Sequence, residues 1–290
     1  MNKYSQLLLI LIALSASFTT YAQSKGEYPA STTEHTFTSE GKRMSGFIYH
    51  AEGKGPHPTV LLLHGYPGNE KNLDFAQNLR KNGWNVVFFH YRGAWGSEGE
   101  FSFRNAEQDV QAVLHYLTQA DRATQLRINP NIISTVGHSM GGHMAIAGIL
   151  DNPLVKCAVS WDGANLGAKS VGFINDPKTT IPWKKYSDTL FMLKGWSGDK
   201  AQQETTLYAN ELDLIRRSQQ VNGRAIMLVG ANTKVIPHAL HIAPLLSALK
   251  ATKDSNITYQ LIDDDHSFSN NRDKLIAITS HFLTTNCAAQ

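Results

Sequence analysis

Five short apolar runs limit the folds open to this chain: "HPTVLLLH" (57–64), "WNVVFFH" (84–90), "NIISTVG" (131–137), "VKCAVSW" (155–161) and "RAIMLVG" (224–230). Each is near-continuously apolar rather than alternating, the mark of a strand covered on both faces. A sixth strand is read at "NITYQLI" (256–262). Between the runs lie helical stretches. "NLDFAQNLRKNG" closes at Gly83, and "NAEQDVQAVLHYLTQ" places Val110, Val113, Leu114 and Leu117 on one face. "HMAIAGIL", "HALHIAPLLSALK" and a closing helix near 271–284 follow. Strands alternating with helices predict an α/β fold, with a mostly parallel central sheet and helices on both faces. Upstream, "HTFTSE" and "RMSGFIYH" alternate in period two around "EGK", which reads as a hairpin. Ligands of such sheets bind beyond the carboxyl ends of the strands, so the loops after 64, 90, 137, 161, 230 and 262 matter most.

Periodicity weakens between Asp162 and Asn222. Residues 163–200 read as a lid insertion over the sheet's C-terminal edge, followed by a helix near 201–220. At the other end, Lys3 precedes the unbroken apolar run Leu7–Leu14, and Thr20-Tyr21-Ala22 is a small-x-small pattern. This layout predicts a cleavable signal peptide over 1–22, cut after Ala22, and a secreted or periplasmic protein. The apolar run is too short to span a membrane, so no stable membrane insertion is expected after cleavage. The remaining 23–290 reads as one domain. Net charge of +3, with no Lys/Arg run, gives no reason to expect nucleic acid as a partner. The two cysteines, Cys157 in a strand and Cys287 three residues from the end, are not obvious neighbours. An exported chain could pair them, but the expectation is a fold that rests on its core. Asn256-Ile257-Thr258 forms a glycosylation sequon.

The strand at 131–137 runs into Gly137-His138-Ser139-Met140-Gly141 and then into a helix. A nucleophile on so tight a turn stands above the sheet, and its neighbours two residues away must be small to avoid the strand and the helix. Glycine-rich turns occur in unrelated α/β proteins too. Here the strand before and the helix after favour Ser139 as nucleophile. An oxyanion needs donors. His64-Gly65-Tyr66-Pro67-Gly68 ends the strand at 57–64 and offers the Tyr66 N–H, which Met140 N–H would join. The Tyr66 hydroxyl is either a further donor or a pocket wall. The base is read as His266, delivered by the end of the last strand in "YQLIDDDHSFSNN". His64 and His138 read as buried packing or loop-ordering residues. His238-x-x-His241 has helical spacing but gives little reason to expect a metal. No HExxH, phosphate-binding loop or dinucleotide fingerprint is present in the sequence.

In "PTVLLLHGYPG", "NVVFFHYRGAWGSEG", "VGHSMGG" and "DDDHSFS", the chain resembles the α/β-hydrolases across nearly all of 23–290. The opening "SEGKRMSGFIYHAEGKGPHPTVLLLHG" is similar to prolyl-oligopeptidase-like and dienelactone-hydrolase-like members, without a propeller. The resemblance implies acyl transfer by a Ser-His-acid triad with no metal or cofactor. In most relatives the acid lies in Gly-x-x-Asp-x-x-(Val/Ile)-Pro. This chain reads Gly230-Ala231-Asn232-Thr233-Lys234-Val235-Ile236-Pro237, with Thr233 at the acid's position.

Three readings follow from this departure. Asp162, after the strand at 155–161, replaces the acid, or instead caps a turn. Asp263, Asp264 or Asp265 assists. Or the triad is incomplete and the protein is a binding protein. Asn232 could also orient the imidazole. Arg92, Trp95, Ser97, Glu98 and Phe101 either line the acyl side or order their own loop, with the second favoured. Trp161, Phe173, Trp183 and Trp196 either roof the pocket or form the insertion's own core. The resulting expectation is an exported serine esterase with Ser139, His266 and provisionally Asp162, and a small ester or short peptide as substrate. A serine peptidase and a binding protein are the alternatives.

Overall fold

All the apolar runs lie in one eight-stranded sheet. The computed structural model describes residues 26–288 apart from 151, 156, 222 and 255, so the segment read as a signal peptide lies outside the described residues. The strands are β1 (Ser31–Ser39), β2 (Lys42–His50), β3 (His57–Leu63), β4 (Asn85–Phe89), β5 (Ile128–His138), β6 (Cys157–Trp161), β7 (Ala225–Ala231) and β8 (Asn256–Ile262). Their spatial order is β1-β2-β4-β3-β5-β6-β7-β8. The β1–β2 hairpin joins β4 antiparallel, and every pairing from β4 to β8 is parallel. The predicted hairpin is therefore present, turning at Glu40 and Gly41 with φ of +49° and +70°.

Ten helices are described: α1 (Leu73–Lys81), α2 (Phe103–Thr118), α3 (Ala120–Gln125), α4 (Met140–Leu150), α5 (Leu166–Asn175), α6 (Thr180–Asp188), α7 (Gly198–Leu207), α8 (Leu214–Arg217), α9 (His238–Lys250) and α10 (Arg272–Phe282). Adjacent strand residues feed opposite layers. Leu61 and Leu63 join the core under α2, α4 and α9, whereas Val60 and Leu62 join the one under α1 and α10. This double coverage is why the strands read as continuous apolar runs. α3 had no sequence signal beyond the longer helix before it.

The insertion is longer than 163–200. It comprises α5, a 3-10 turn at 177–179, α6, α7, α8 and a second 3-10 turn at 218–221, and ends only before β7. The helix expected near 201–220 is two short helices. α7 stops at Leu207, and the chain turns before Asp213 caps α8 by accepting the Ile215 N–H at 3.0 Å. An Asp inside a helix competes for backbone donors in this way.

The cysteine expectation is corrected: Cys157 and Cys287 form a disulfide, with Cα atoms 5.7 Å apart. After α10 the chain folds as one further turn, 283–287, that buries Leu283 and Cys287. The tail therefore lies under the central strand rather than hanging free. Closing a loop with a sequence separation of 130 restricts the unfolded chain by about 5 kcal/mol on loop entropy. The fold rests on its core and on this cross-link.

The chain leaves β3 toward β4 on one side and returns to β5 on the other. The strand order therefore reverses between β3 and β5, where Leu63 is paired with Gly137. A crevice opens at such a reversal, and the next residues of both strands carry the candidate chemistry.

Candidate active site

Ser139 is the single residue between β5, which ends at His138, and α4, which begins at Met140. Its φ of +60° is the left-handed region, strained for a residue with a Cβ. Its N–H donates to Trp161 O at 2.9 Å, and its carbonyl accepts the Gly142 and Ala164 N–H groups, each at 3.0 Å. These bonds hold the turn. The small neighbours are sterically required: a Cβ on Gly137 would lie 1.9 Å from Gly141 O, and one on Gly141 would lie 2.1 Å from Leu63 O.

Across the crevice, β3 delivers Gly65 and Tyr66. Among the described residues, no protein acceptor takes the backbone N–H of Tyr66 or of Met140. Met140 is the first residue of α4, where a helix leaves its N–H groups unsatisfied and its dipole favours negative charge. The geometry thus leaves two free amides flanking the serine.

His266 lies four residues beyond β8, and its imidazole Nδ1 is 2.6 Å from Asp162 Oδ2. The Asp162 carboxylate is fully buried, while the imidazole stays 20 % exposed. Oδ1 of Asp162 accepts the Ala231 N–H at 3.0 Å, and Thr233 Oγ1 lies 3.5 Å from Oδ2. Asp162 is itself left-handed, with φ +40°, and its N–H donates to Val229 O at 2.6 Å. A buried carboxylate is costly unless its oxygens are satisfied, and both oxygens are.

The carboxylate therefore comes from the end of β6 rather than of β7. Thr233, at the position where the resemblance puts the acid, sits beside the acid and also accepts the Val235 N–H at 3.2 Å. The other aspartates considered for this place are bonded elsewhere. Asp264 accepts from Asn270 and Asn271, and Asp265 from Ser267 and Ser269. Asn232 donates to Asp263 at 3.3 Å, away from the imidazole.

His138 lies behind His266. Its ring centroid is 4.5 Å from that of His266, and its Nε2–H donates to the His266 carbonyl at 2.6 Å. Burial, then the neighbouring His266, pushes its pKa down to about 3, so it is a neutral support. The packing or loop-ordering role expected of His138 is thus directed at the loop that carries His266. His64 is likewise buried, its Nδ1–H donates to Gly65 O at 2.8 Å, and it is held down to about 4 by burial. His238 bonds Tyr259 and His241 bonds the Asn165 carbonyl, so the pair does not converge on a common point.

Ser139, Met140, Tyr66 and His266 open on one cavity of about 390 Å³, shared with Phe103, Leu166, Lys169, Trp183 and Ile236. Trp183 is thus a roof residue. Trp161 is not: it packs on Phe75 in the opposite layer and donates to Thr279. None of the five loop residues considered for the acyl side lines this cavity. Arg92 is locked on Asp109 and Gln108, Ser97 on His90, and Glu98 on Arg43, the loop-ordering role that was favoured for them. Phe103, two residues beyond Phe101, reaches the cavity instead, because Ser102 caps α2 and turns the chain inward.

Tyr66 is fastened to the insertion. Its hydroxyl donates to Ser187 Oγ at 2.8 Å and accepts the Trp196 Nε1–H at 2.5 Å. Burial pushes this phenol well above the usual tyrosine range, and its one proton is committed to Ser187. The hydroxyl is therefore a pocket wall and lid anchor. A second tie runs behind the serine: His143 Nδ1 accepts the Leu166 N–H at 3.3 Å, while its Nε2–H donates to Glu107 at 2.7 Å.

The profile of the BD-FAE family matches residues 47–159, from β2 through the serine turn to β6. The 2,6-dihydropseudooxynicotine hydrolase of Paenarthrobacter nicotinovorans is 27 % identical over 164 residues, covering 54 % of this chain and 42 % of that protein. The chain spans less than half the length of the curated relatives it matches. The solved structure of 2,6-dihydroxy-pseudo-oxynicotine hydrolase superposes with a TM-score of 0.67 at 20 % identity, covering 90 % of this chain and 69 % of that one. An esterase of Pyrococcus furiosus does so with a TM-score of 0.64 at 16 % identity, covering 89 % and 92 %. At these identities the likeness concerns the fold, which all of these share with the sheet described above.

Proposed function

We propose that this chain, which has the α/β-hydrolase fold, is a serine hydrolase acting on carboxylic esters. The observation that carries the reading is the 2.6 Å bond from Asp162 to His266 Nδ1, with the imidazole and Ser139 opening on one cavity. Asp162 fixes Nδ1 as the protonated nitrogen, which leaves Nε2 to act as base. Ser139 Oγ attacks the ester carbonyl carbon and its proton passes to Nε2. The carbonyl oxygen gains the charge between the Tyr66 and Met140 amides, each worth roughly 2.7–4 kcal/mol in the transition state. The tetrahedral adduct collapses, the C–O bond to the alcohol breaks, and Nε2 returns the proton to the leaving oxygen. Water then attacks the acyl-serine by the same route, releasing the acid and restoring Ser139.

An apolar cavity of this size suits a small ester, and an esterase is among the structural neighbours. A fluorophosphonate probe is expected to label the wild type and not Ser139→Ala of equal thermal stability. Absence of labelling in the folded wild type would mean a binding protein instead.

Export is part of the same proposal. It is supported by the residue 1–22 pattern and by the Cys157–Cys287 cross-link, which is characteristic of oxidising compartments. N-terminal sequencing of the protein made in a secreting bacterial host is expected to begin at Gln23 outside the cytoplasm. Full-length chain confined to the cytoplasm would refute it.

A further inference from the structure

The cavity beside Ser139 contains one ammonium group. Lys169 lies on α5, the first insertion helix, one turn after Leu166, so both face the cavity. Its stem is half-buried among Leu166, Trp183 and Ile236, and its Nζ stands 4.3 Å above the Trp183 ring. An indole face attracts the charge but accepts none of the three N–H donors in the way an oxygen does. Among the described residues Lys169 has no hydrogen bond and no ion pair, while Lys184 and Lys200, farther along the insertion, pair with Asp199 and Glu100. The titratable group closest to it in effect is His241, which is itself neutral, pushed down to about 4 by burial first and then by the Lys169 charge. Among the described residues, no carboxylate forms an ion pair with the cation. Burial alone lowers Lys169 itself to about 8, which leaves it mostly charged at neutral pH.

A lone cation kept in an apolar pocket is costly unless something arrives to satisfy it. We propose that Lys169 binds a carboxylate of the substrate, so that the ester cleaved at Ser139 belongs to an acid or alcohol that also bears a carboxylate group. The inference rests on the hydrolase reading and deepens it. One ammonium matches one negative charge, which favours a carboxylate over a phosphate dianion. Trp183 supports the fit, since the same ring that steadies the ammonium walls the apolar part of the ligand.

The test compares two matched pairs. 4-Acetoxybenzoate against 4-methylphenyl acetate places the carboxylate on the leaving group. The mono(4-nitrophenyl) ester of adipic acid against 4-nitrophenyl hexanoate places it on the acyl side. For at least one pair, the ratio of kcat/KM for the carboxylate ester to that for the neutral ester is expected to fall tenfold or more in Lys169→Met. Lys169→Arg is expected to keep most of that ratio. A smaller change in both pairs overturns the proposal.

A failure of the hydrolase reading looks different: neither neutral ester is turned over and the fluorophosphonate does not label. In that case calorimetry on the Ser139→Ala protein decides. Binding of 4-acetoxybenzoate that weakens tenfold on adding Lys169→Met supports the carboxylate site, and unchanged or undetectable binding rejects it.

Discussion

Replacing Asp162 by Asn is expected to lower kcat on a neutral aryl ester by about 10⁴, with little change in folding or in fluorophosphonate access. Asn presents an amide of the same shape, but it removes the charge that stabilises the imidazolium and no longer dictates which ring nitrogen is protonated. The carboxylate it replaces has Oδ2 2.6 Å from His266 Nδ1. Thr233 lies 3.5 Å from the same oxygen, which makes a second experiment informative. Thr233→Asp alone would place a like charge beside Asp162 and is expected to reduce activity. In Asp162→Asn/Thr233→Asp the new carboxylate stands next to the imidazole, and at least tenfold of the lost turnover should return. Near-wild-type rates in Asp162→Asn would remove this residue from the mechanism and leave His266 without an acid.

Lowering the pH from 7 toward 5 is expected to unfold the protein cooperatively. Four buried histidines are held neutral, chiefly by loss of hydration: His64 and His241 at about 4, His90 and His138 at about 3. An exposed histidine in the unfolded chain titrates near 6.5, so the unfolded state binds more protons between that value and the folded ones. The stability these groups contribute is complete above about 6.5 and drains away as pH falls toward 3–4. Each would remove about 2 kcal/mol by pH 5, on the basis of 1.36 kcal/mol per pKa unit. Together that is comparable with the whole stability of an ordinary domain. Thermal melts followed by circular dichroism from pH 7.5 to 4.5 should show Tm falling steeply below 6.5. A flat profile to pH 4.5 would refute it.

What could be read from the sequence follows from range of interaction. β3 to β7 announce themselves because burial on both faces is written in consecutive residues. The serine turn is equally local, since Gly137 and Gly141 are needed within two positions of Ser139. The acid was less legible. Asp162 is an ordinary loop aspartate until β6 and β8 are brought to the same edge, with β7 between them. The disulfide was missed for the same reason. Nothing near Cys287 signals that the last turn folds under β6. The insertion is legible as a segment but not helix by helix: α6, for one, packs through Trp183 on Tyr66 and Phe103 and carries no strong apolar stripe. Lys169 gave no signal at all as one lysine among ordinary helix residues.

The bonds of Tyr66 to Ser187 and Trp196 bear on how the proposed reaction would be gated. A roof hung from the residue whose main chain faces the developing charge cannot swing away while leaving the catalytic geometry intact. In the proposed reaction, turnover would then proceed under a fixed ceiling, with reactants passing through its side. Ligand length and shape, rather than the timing of any hinge, would set which molecules this protein consumes.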